Sequence, residues 1–247
     1  MKILVCISQV PDTTTKISFT DNDTRFNEDK VQFIVNPYDE WYALVRALEL
    51  KETLGGNVTI ITVGKAALEP VIRKALAIGA DDAVRIDMDA EDAYSTAKAI
   101  ADYASGKGYD LILTGKETID YNGSEVGGML SELLNLPFVS LATKLTIEGT
   151  TAKLELDLEG GGIELITAPM PCVISAAKGM AEARIPNMRG IMASRTKLIE
   201  IVPYQPTAQM VNTVKFTLPN PKSGVKLVDA ATPEKLVELL HSEAKVI

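Results

Sequence analysis

The chain has one histidine, two cysteines, and aromatic residues at only 5% of its 247 positions. Each scarcity excludes something. Cys6 and Cys172 stand far apart and in no Cys-x-x-Cys pair. They spell neither a disulfide framework nor a thiol redox motif, and both read as buried, reduced thiols. His241 lies in the tail, apart from any Ser/Asp set, so no catalytic residue is identified. With no Cys/His cluster, no metal site is expected. Positive charge is also short: 25 Lys and Arg against 33 Asp and Glu leave a formal charge of -8. That argues against a surface for nucleic acid or anionic membrane. No apolar run approaches the ~20 residues that span a bilayer. The opening Met1–Ser8 segment turns polar after Ile7 and reads as a strand, not a signal peptide. A cytoplasmic protein without membrane insertion is expected. G-x-G-x-x-G and G-x-x-x-x-G-K-[ST] are both absent, so neither an ordinary dinucleotide fingerprint nor a P-loop is present.

What is present is 46% apolar residue content, enough for a sizeable core. Ile3–Ile7, Val58–Val63, Ala83–Ile86 and Leu111–Leu113 read as buried strands. Helical stripes alternate with them: Trp41, Leu44, Val45 and Leu48; Val71, Ile72, Ala75 and Leu76; Ala93, Ala97, Ile100 and Ala101; Val126, Met129, Leu130 and Leu133. Asn36-Pro37 looks like the start of the first helix, with Asn as N-cap and Asp39 and Glu40 near its positive end. A hairpin pairing Lys16–Phe19 with Val31–Ile34 is expected before it. After Val139 come successive strands, Leu145–Ile147, Ala152–Leu158, Glu164–Thr167 and Cys172–Ser175, which should extend or flank the sheet, antiparallel in part. The fold class is α/β: a doubly wound, mostly parallel, Rossmann-like sheet with antiparallel additions and an extended C-terminal arm. The expected division is residues 1–196 as the α/β domain and 197–247 as the arm. The arm carries Pro203, Pro206, Pro219 and Pro221, ends in a helix opening at Thr232-Pro233, and should wrap a partner subunit.

Two segments carry chemistry. Residues 110–128 run from strand through a turn rich in Gly, Asn, Ser and Asp into a helix. Open α/β sheets bind ligands at such turns, and a helix N-terminus suits a phosphate. The plainer reading is a tight turn whose Gly115 and Gly123 serve geometry alone; composition leaves both open. Residues 178–197 reverse the overall charge, with Lys178, Arg184, Arg189, Arg195 and Lys197 against Glu182. This is either a solvated face or a docking loop, with Met188 as a soft anchor.

Five segments, in order along residues 1 to about 197, resemble the electron transfer flavoprotein β subunits (the ETF β/FixA family). They are Asn36-Pro-Tyr-Asp-Glu40, Leu76-Ala-Ile-Gly-Ala-Asp81, Gly115-Lys-Glu-Thr-Ile-Asp120, Glu159-Gly-Gly-Gly-Ile-Glu164 with Pro171–Ser175, and Arg184–Ala193. Departures are Leu156, where the family signature has a basic residue, and the stretch Asp120–Gly128, whose Gly123 stands where the bifurcating pattern has Thr. The resemblance implies a heterodimer with an α subunit that holds most of the FAD site. It implies electron carriage from flavin dehydrogenases, such as the acyl-CoA dehydrogenases of fatty acid oxidation, to a downstream acceptor. The β subunit would make no bonds itself and would bind a structural AMP, or a second FAD in bifurcating members. Carried over by position, the nucleotide contacts are Cys6, Asn36, Pro37, Tyr38, Asp39 and Val63. They continue through the turn at Gly115, Lys116, Glu117, Thr118, Ile119, Asp120, Tyr121, Asn122, Gly123, Ser124, Glu125 and Val126. Arg184, Met188 and Arg189 would meet the donor dehydrogenase. A reading of a different class is a stand-alone nucleotide-binding stress or signalling domain.

Overall fold

A computed structural model describes residues 1–205, 207–221 and 224–247; Pro206 lies outside the described residues. The first strand, β1 (Lys2–Cys6), shows how the sheet is built. Successive side chains point to opposite faces. Ile3 and Val5 pack into one core cluster, while Leu4 and Cys6 pack into a second. Both faces are therefore covered, which is why the strand reads as continuously apolar.

Two short ribbons follow. β2 (Gln9–Pro11) pairs antiparallel with β5 (Phe33–Val35), and β3 (Phe19–Thr20) pairs with β4 (Arg25–Phe26). The expected pairing of Lys16–Phe19 with Val31–Ile34 is thus corrected. The tight turn at Asp21–Asp23, left-handed at all three residues, closes the inner ribbon instead. Then come α1 (Asp39–Leu54), β6 (Asn57–Val63), α2 (Glu69–Ile78), β7 (Asp82–Asp87), α3 (Ala93–Ala104), β8 (Leu111–Gly115) and α4 (Val126–Leu134). α4 begins later than Asn122–Ser124, because Asn122 and Ser124 adopt left-handed backbone angles that no helix continues. α3 is capped by Asp92, whose carboxylate accepts from Ser95 N while Ser95 Oγ accepts from Asp92 N.

The later strands are β9 (Phe138–Glu148), β10 (Thr151–Asp157), β11 (Ile163–Pro169), β12 (Cys172–Ala176) and β13 (Ile199–Pro203), with α5 (Met188–Ser194) before the last. The nine-stranded sheet has the order β11-β10-β9-β12-β8-β1-β6-β7-β13. The strands from β9 to β13 in that order pair in parallel, and β10 pairs antiparallel with both β9 and β11. α1 and α2 cover one face and α3 and α4 the other. The fold is the doubly wound, mostly parallel α/β sheet that the alternation predicts.

Two placements sharpen that expectation. β12 does not flank the sheet; it inserts between β9 and β8. β13 lies past the expected boundary at residue 196, yet it pairs with β7 along its whole length. The sheet therefore ends at Pro203. The described residues after it are mostly exposed, and they touch the body at few points. Met210 N and Val211 N donate to Asp92, and Phe216 stacks on Phe19 at 4.8 Å. The tail helix α6 (Glu234–Leu239) buries no residue against the body. Among the described residues, no helix is long and apolar enough to cross a membrane.

Candidate functional site

In an open parallel sheet, ligands sit where the strand order reverses, outside the carboxyl ends of the strands. Here β1 has β6 on one side and β8 on the other, and the chain crosses away from it toward β6. The crevice therefore lies at the ends of β1 and β8. Three chain segments converge there: Cys6–Ser8, Asn36–Glu40, and the turn after Gly115.

Asn36 joins the second and third of these segments. It is fully buried. Its Nδ2 donates to the Glu117 carbonyl at 2.9 Å, and its Oδ1 accepts a longer bond from Ile119 N at 3.4 Å. Its backbone N–H donates to Ser8 O at 3.1 Å. So Asn36 is not the helix N-cap that its sequence position suggests. Tyr38 holds that place, without a side-chain cap bond. The reason is local: a residue before proline is pushed into extended backbone. The amide then reaches across to the turn.

Glu40 joins the first segment to the second. Ser8 N and Ser8 Oγ both donate to its carboxylate, at 2.5 and 2.6 Å. Burial pushes the Glu40 carboxyl up to about 8, with Asp120 and Asp39 adding to the shift and the Ser8 hydrogen bonds opposing it. Burial, and then Glu40, also push the Cys6 thiol well above its usual range. Cys6 is accordingly no nucleophile. Its side chain packs toward α3 and α4, so only its backbone can face a ligand. Gly115 makes the junction possible: a Cβ there would stand 2.9 Å from Glu40 N and 2.7 Å from Glu40 Cγ.

The turn itself is held at both ends. Lys116 N donates to Ala176 O at 2.9 Å, at the end of β12. Lys116 pairs with Glu117 at 2.9 Å, and Ser124 Oγ donates to Glu117 at 3.1 Å. The Lys116 contact first, then Ser124 and Asn122, hold the Glu117 carboxyl below its usual range. Asn122 N donates to Thr118 O. Asp120 through Glu125 are exposed, Tyr121 at 71%. Asn122 and Ser124 are both left-handed, the backbone habit that turns N–H groups toward an anion. Glu125, at the N-cap of α4, makes no cap bond, so the first N–H groups of that helix carry no side-chain partner. Thr114 Oγ1 is buried beneath the turn with no hydrogen-bond partner.

The structure thus brings Cys6, Asn36–Asp39 and Gly115–Val126 to one place. Pro37 is half-buried and Tyr38 points outward at 53% exposure. Val63 lies at the same end of the sheet, on the neighbouring strand β6, packed toward the α3 side. Ser8, Glu40 and Thr114 escaped sequence reasoning. For Glu40 a signal existed. It falls in register with Ala43, Leu44 and Ala47 on the buried face of α1, where an acid needs a donor.

The basic segment divides. Arg184 is committed within the chain: its guanidinium grips Glu52 at 2.6 and 3.1 Å, and its carbonyl accepts from Trp41 Nε1. Asn187 caps α5 through Gly190 N. Met188 (74% exposed) and Arg189 face outward, beside exposed Ile185 and Met192.

A cavity of about 700 Å³ lies at the opposite, N-terminal ends of β1, β6 and β7, lined by Met1, Lys2, Tyr103 and Tyr109 among others. Its polar groups are satisfied by one another, as Tyr103 and Glu200 are at 2.8 Å. The switch-point crevice is the better candidate, since the N–H groups at the start of α4 have no side-chain cap.

Comparison with known proteins points to one family. A family model described as the electron transfer flavoprotein domain matches residues 23–206. The electron transfer flavoprotein subunit beta of Bacillus subtilis (strain 168) is 36% identical, with all of both chains covered. Protein FixA of Azotobacter vinelandii is 31% identical, covering 98% of this chain and 89% of its own. The electron transfer flavoprotein subunit beta of Sus scrofa is 31% identical, covering 82% and 81%.

Proposed function

This chain belongs to the electron transfer flavoprotein β-subunit family, and on that footing we propose that it forms a heterodimer with an α subunit and binds a structural AMP at the β1/β8 crevice. The observation that carries the nucleotide site is the Asn36 clamp. It fixes the 117–119 backbone against β5 and leaves Asp120–Glu125 open to a ligand. The residues present fit an adenine nucleotide. Unpaired N–H groups at the start of α4 and the left-handed turn suit its phosphate. The backbone ends of β1 and β6, at Cys6 and Val63, suit the base. Glu117, Asp120 and Glu125 oppose an anion, and Lys116 is already paired. Affinity therefore comes from backbone donors and the helix dipole.

FAD, held mainly by the α subunit, supplies the redox chemistry. This chain's own residues bind and orient. Exposed Tyr38 offers one wall to the flavin. Met188 and Arg189 present the docking face to a donor flavin dehydrogenase of the acyl-CoA type, in the cytoplasm. Arg184 acts there by holding the loop to α1 through Glu52. The arm beyond Pro203 tethers the partner, its apolar Val214, Leu218, Val225 and Leu227 being exposed on the isolated chain.

The test is to coexpress both subunits, denature the complex and separate the released nucleotides. AMP and FAD in equal amounts support this reading. Two FAD and no AMP would replace AMP by a second flavin, with electron bifurcation as the activity. A chain that forms stable homodimers and ignores the α subunit would be a stand-alone nucleotide-binding module instead.

A further inference from the structure

Among the described residues, Glu40 is the only buried carboxylate, and no cation pairs with it. Its two hydrogen bonds come from a single neighbour, Ser8, through N–H and Oγ. Among the described residues, the charges that act on it most are acidic. α1 contributes Asp39 and the turn after β8 contributes Asp120, while the Cys6 thiol of β1 packs on the opposite face of the sheet. Lys116, the basic residue of the turn, is occupied by Glu117. β12, on the far side of β8, brings the Ala176 carbonyl to the turn, and that carbonyl accepts from Lys116 N.

Such a carboxyl is expensive to ionise, and a second anion nearby makes ionisation harder still. The site above it is the one assigned to a phosphate ester. The floor of that site lies against Glu40, since a Cβ on Gly115 would strike the Glu40 Cγ and backbone N.

We propose that Glu40 is the proton-linked group of the nucleotide site: an anionic nucleotide settling on the 115–126 turn drives a proton from solvent onto Glu40, so nucleotide and proton bind together. This rests on the nucleotide reading of the crevice.

The Ser8 contact allows the change with only a turn of the Ser8 hydroxyl hydrogen away from Oε1. When Glu40 is ionised, Ser8 Oγ donates to Oε1. When it is neutral, the acid O–H donates to Ser8 Oγ across the same 2.6 Å. The Ser8 N–H bond to Oε2 survives in both states. Charge is neutralised beneath the ligand while the end of β1 stays fixed. Burial already holds the free site poised, the Glu40 carboxyl being pushed up to about 8. An added anion then moves the group through the range where it is half-ionised.

The experiment is titration calorimetry of AMP into the nucleotide-stripped heterodimer, repeated in buffers of different ionisation enthalpy between pH 7.5 and 9. The phosphate of AMP is fully ionised there, with its second pKa near ~6. A one-unit coupling gives uptake of about 0.5 proton per AMP near pH 8.5, and affinity about tenfold weaker above the transition than below it. Glu40→Gln should bind AMP with no proton uptake and a flat pH profile. Ser8→Ala removes a bond that favours the anion, so its uptake midpoint should move to higher pH, and this variant serves if Glu40→Gln does not fold. AMP binding without proton uptake in the unaltered protein overturns the proposal. So does uptake that persists in Glu40→Gln, or a midpoint unmoved in Ser8→Ala. Failure of AMP to bind at any pH instead overturns the nucleotide reading itself, and this inference with it.

Discussion

Asn36 Nδ2 donates to the carbonyl of Glu117 at 2.9 Å, linking residues 81 positions apart in the chain. One buried amide thus decides where the turn after β8 lies. Asn36→Ala leaves the Glu117 carbonyl and Ile119 N–H without their partner. A buried group left unsatisfied costs ~1–3 kcal/mol. The denaturant midpoint should fall accordingly, and the purified heterodimer should retain less than its full complement of nucleotide. A variant with undiminished nucleotide content would show that the clamp does not shape the site.

Two adjacent glycines should respond with opposite signs. A Cβ on Gly127 would stand 2.9 Å from Thr114 Oγ1 and 3.0 Å from the Phe138 ring, whereas one on Gly128 would meet only Phe138 at 3.7 Å. Gly127→Ala is expected to destabilise by about 1–3 kcal/mol through overpacking. Gly128→Ala, within α4 and free of clash, should stabilise by roughly 0.5–1 kcal/mol. Thermal unfolding of the two variants beside the unaltered chain checks both.

How much of this was legible in the sequence depended on what each element packs against. The alternation of Ile3, Leu4, Val5 and Cys6 between two cores, and the stripes of α1 to α4, follow from periodicity and could be read directly. The place of β12 could not. A short buried strand such as Cys172–Ala176 has the same pattern wherever it enters a parallel sheet. β13 was hidden for another reason: it is an edge strand, half exposed and ending in Pro203, so it reads as loop. Asn36 followed a good capping pattern, but a distant carbonyl offered its amide a better bond than the helix did.

Asp92 joins the start of α3 to the arm. Burial works against its ionisation, yet bonds from Ser95, Met210 and Val211 hold its carboxyl down at about 2. A folded value below the unfolded ~3.9 means the stabilisation is full above about pH 4 and is lost as pH falls toward 2. Asp92→Ala should cost ~1 kcal/mol as a lost cap. It should also flatten the acid limb of the stability profile and raise the protease sensitivity of residues near Met210. An acid limb identical to that of the unaltered chain would rule this role out.

Met188 and Arg184 should separate in their effects. Arg184→Ala breaks a largely exposed pair with Glu52 and should cost no more than about 1 kcal/mol. Met188→Ala should leave the unfolding midpoint unchanged while lowering the rate of reduction by the donor dehydrogenase. Stopped-flow flavin reduction, measured beside thermal unfolding, distinguishes the two; an unaltered rate in Met188→Ala would remove it from the docking face.

The location of β13 changes where the arm can be cut. Deletion from residue 197 removes a sheet strand and should destabilise the body. Deletion from residue 204 spares the sheet, so the shortened chain should fold but fail to copurify with the α subunit. Full heterodimer recovery from the shorter deletion would end the tether reading.

The insertion of β12 also imposes an order on biosynthesis. β8 leaves the ribosome with one edge open and keeps it open until Cys172 arrives to pair with Leu111. The antiparallel excursion through β9, β10 and β11 must be synthesised in between. Contacts this distant in sequence form slowly, and unpaired edges are prone to aggregate while they wait. The acceptor for Lys116 N, the carbonyl of Ala176, comes on the same late strand. A nascent chain ending before β12 would therefore expose a sticky sheet edge and hold no finished turn. The ligand crevice is among the last parts of the molecule to exist.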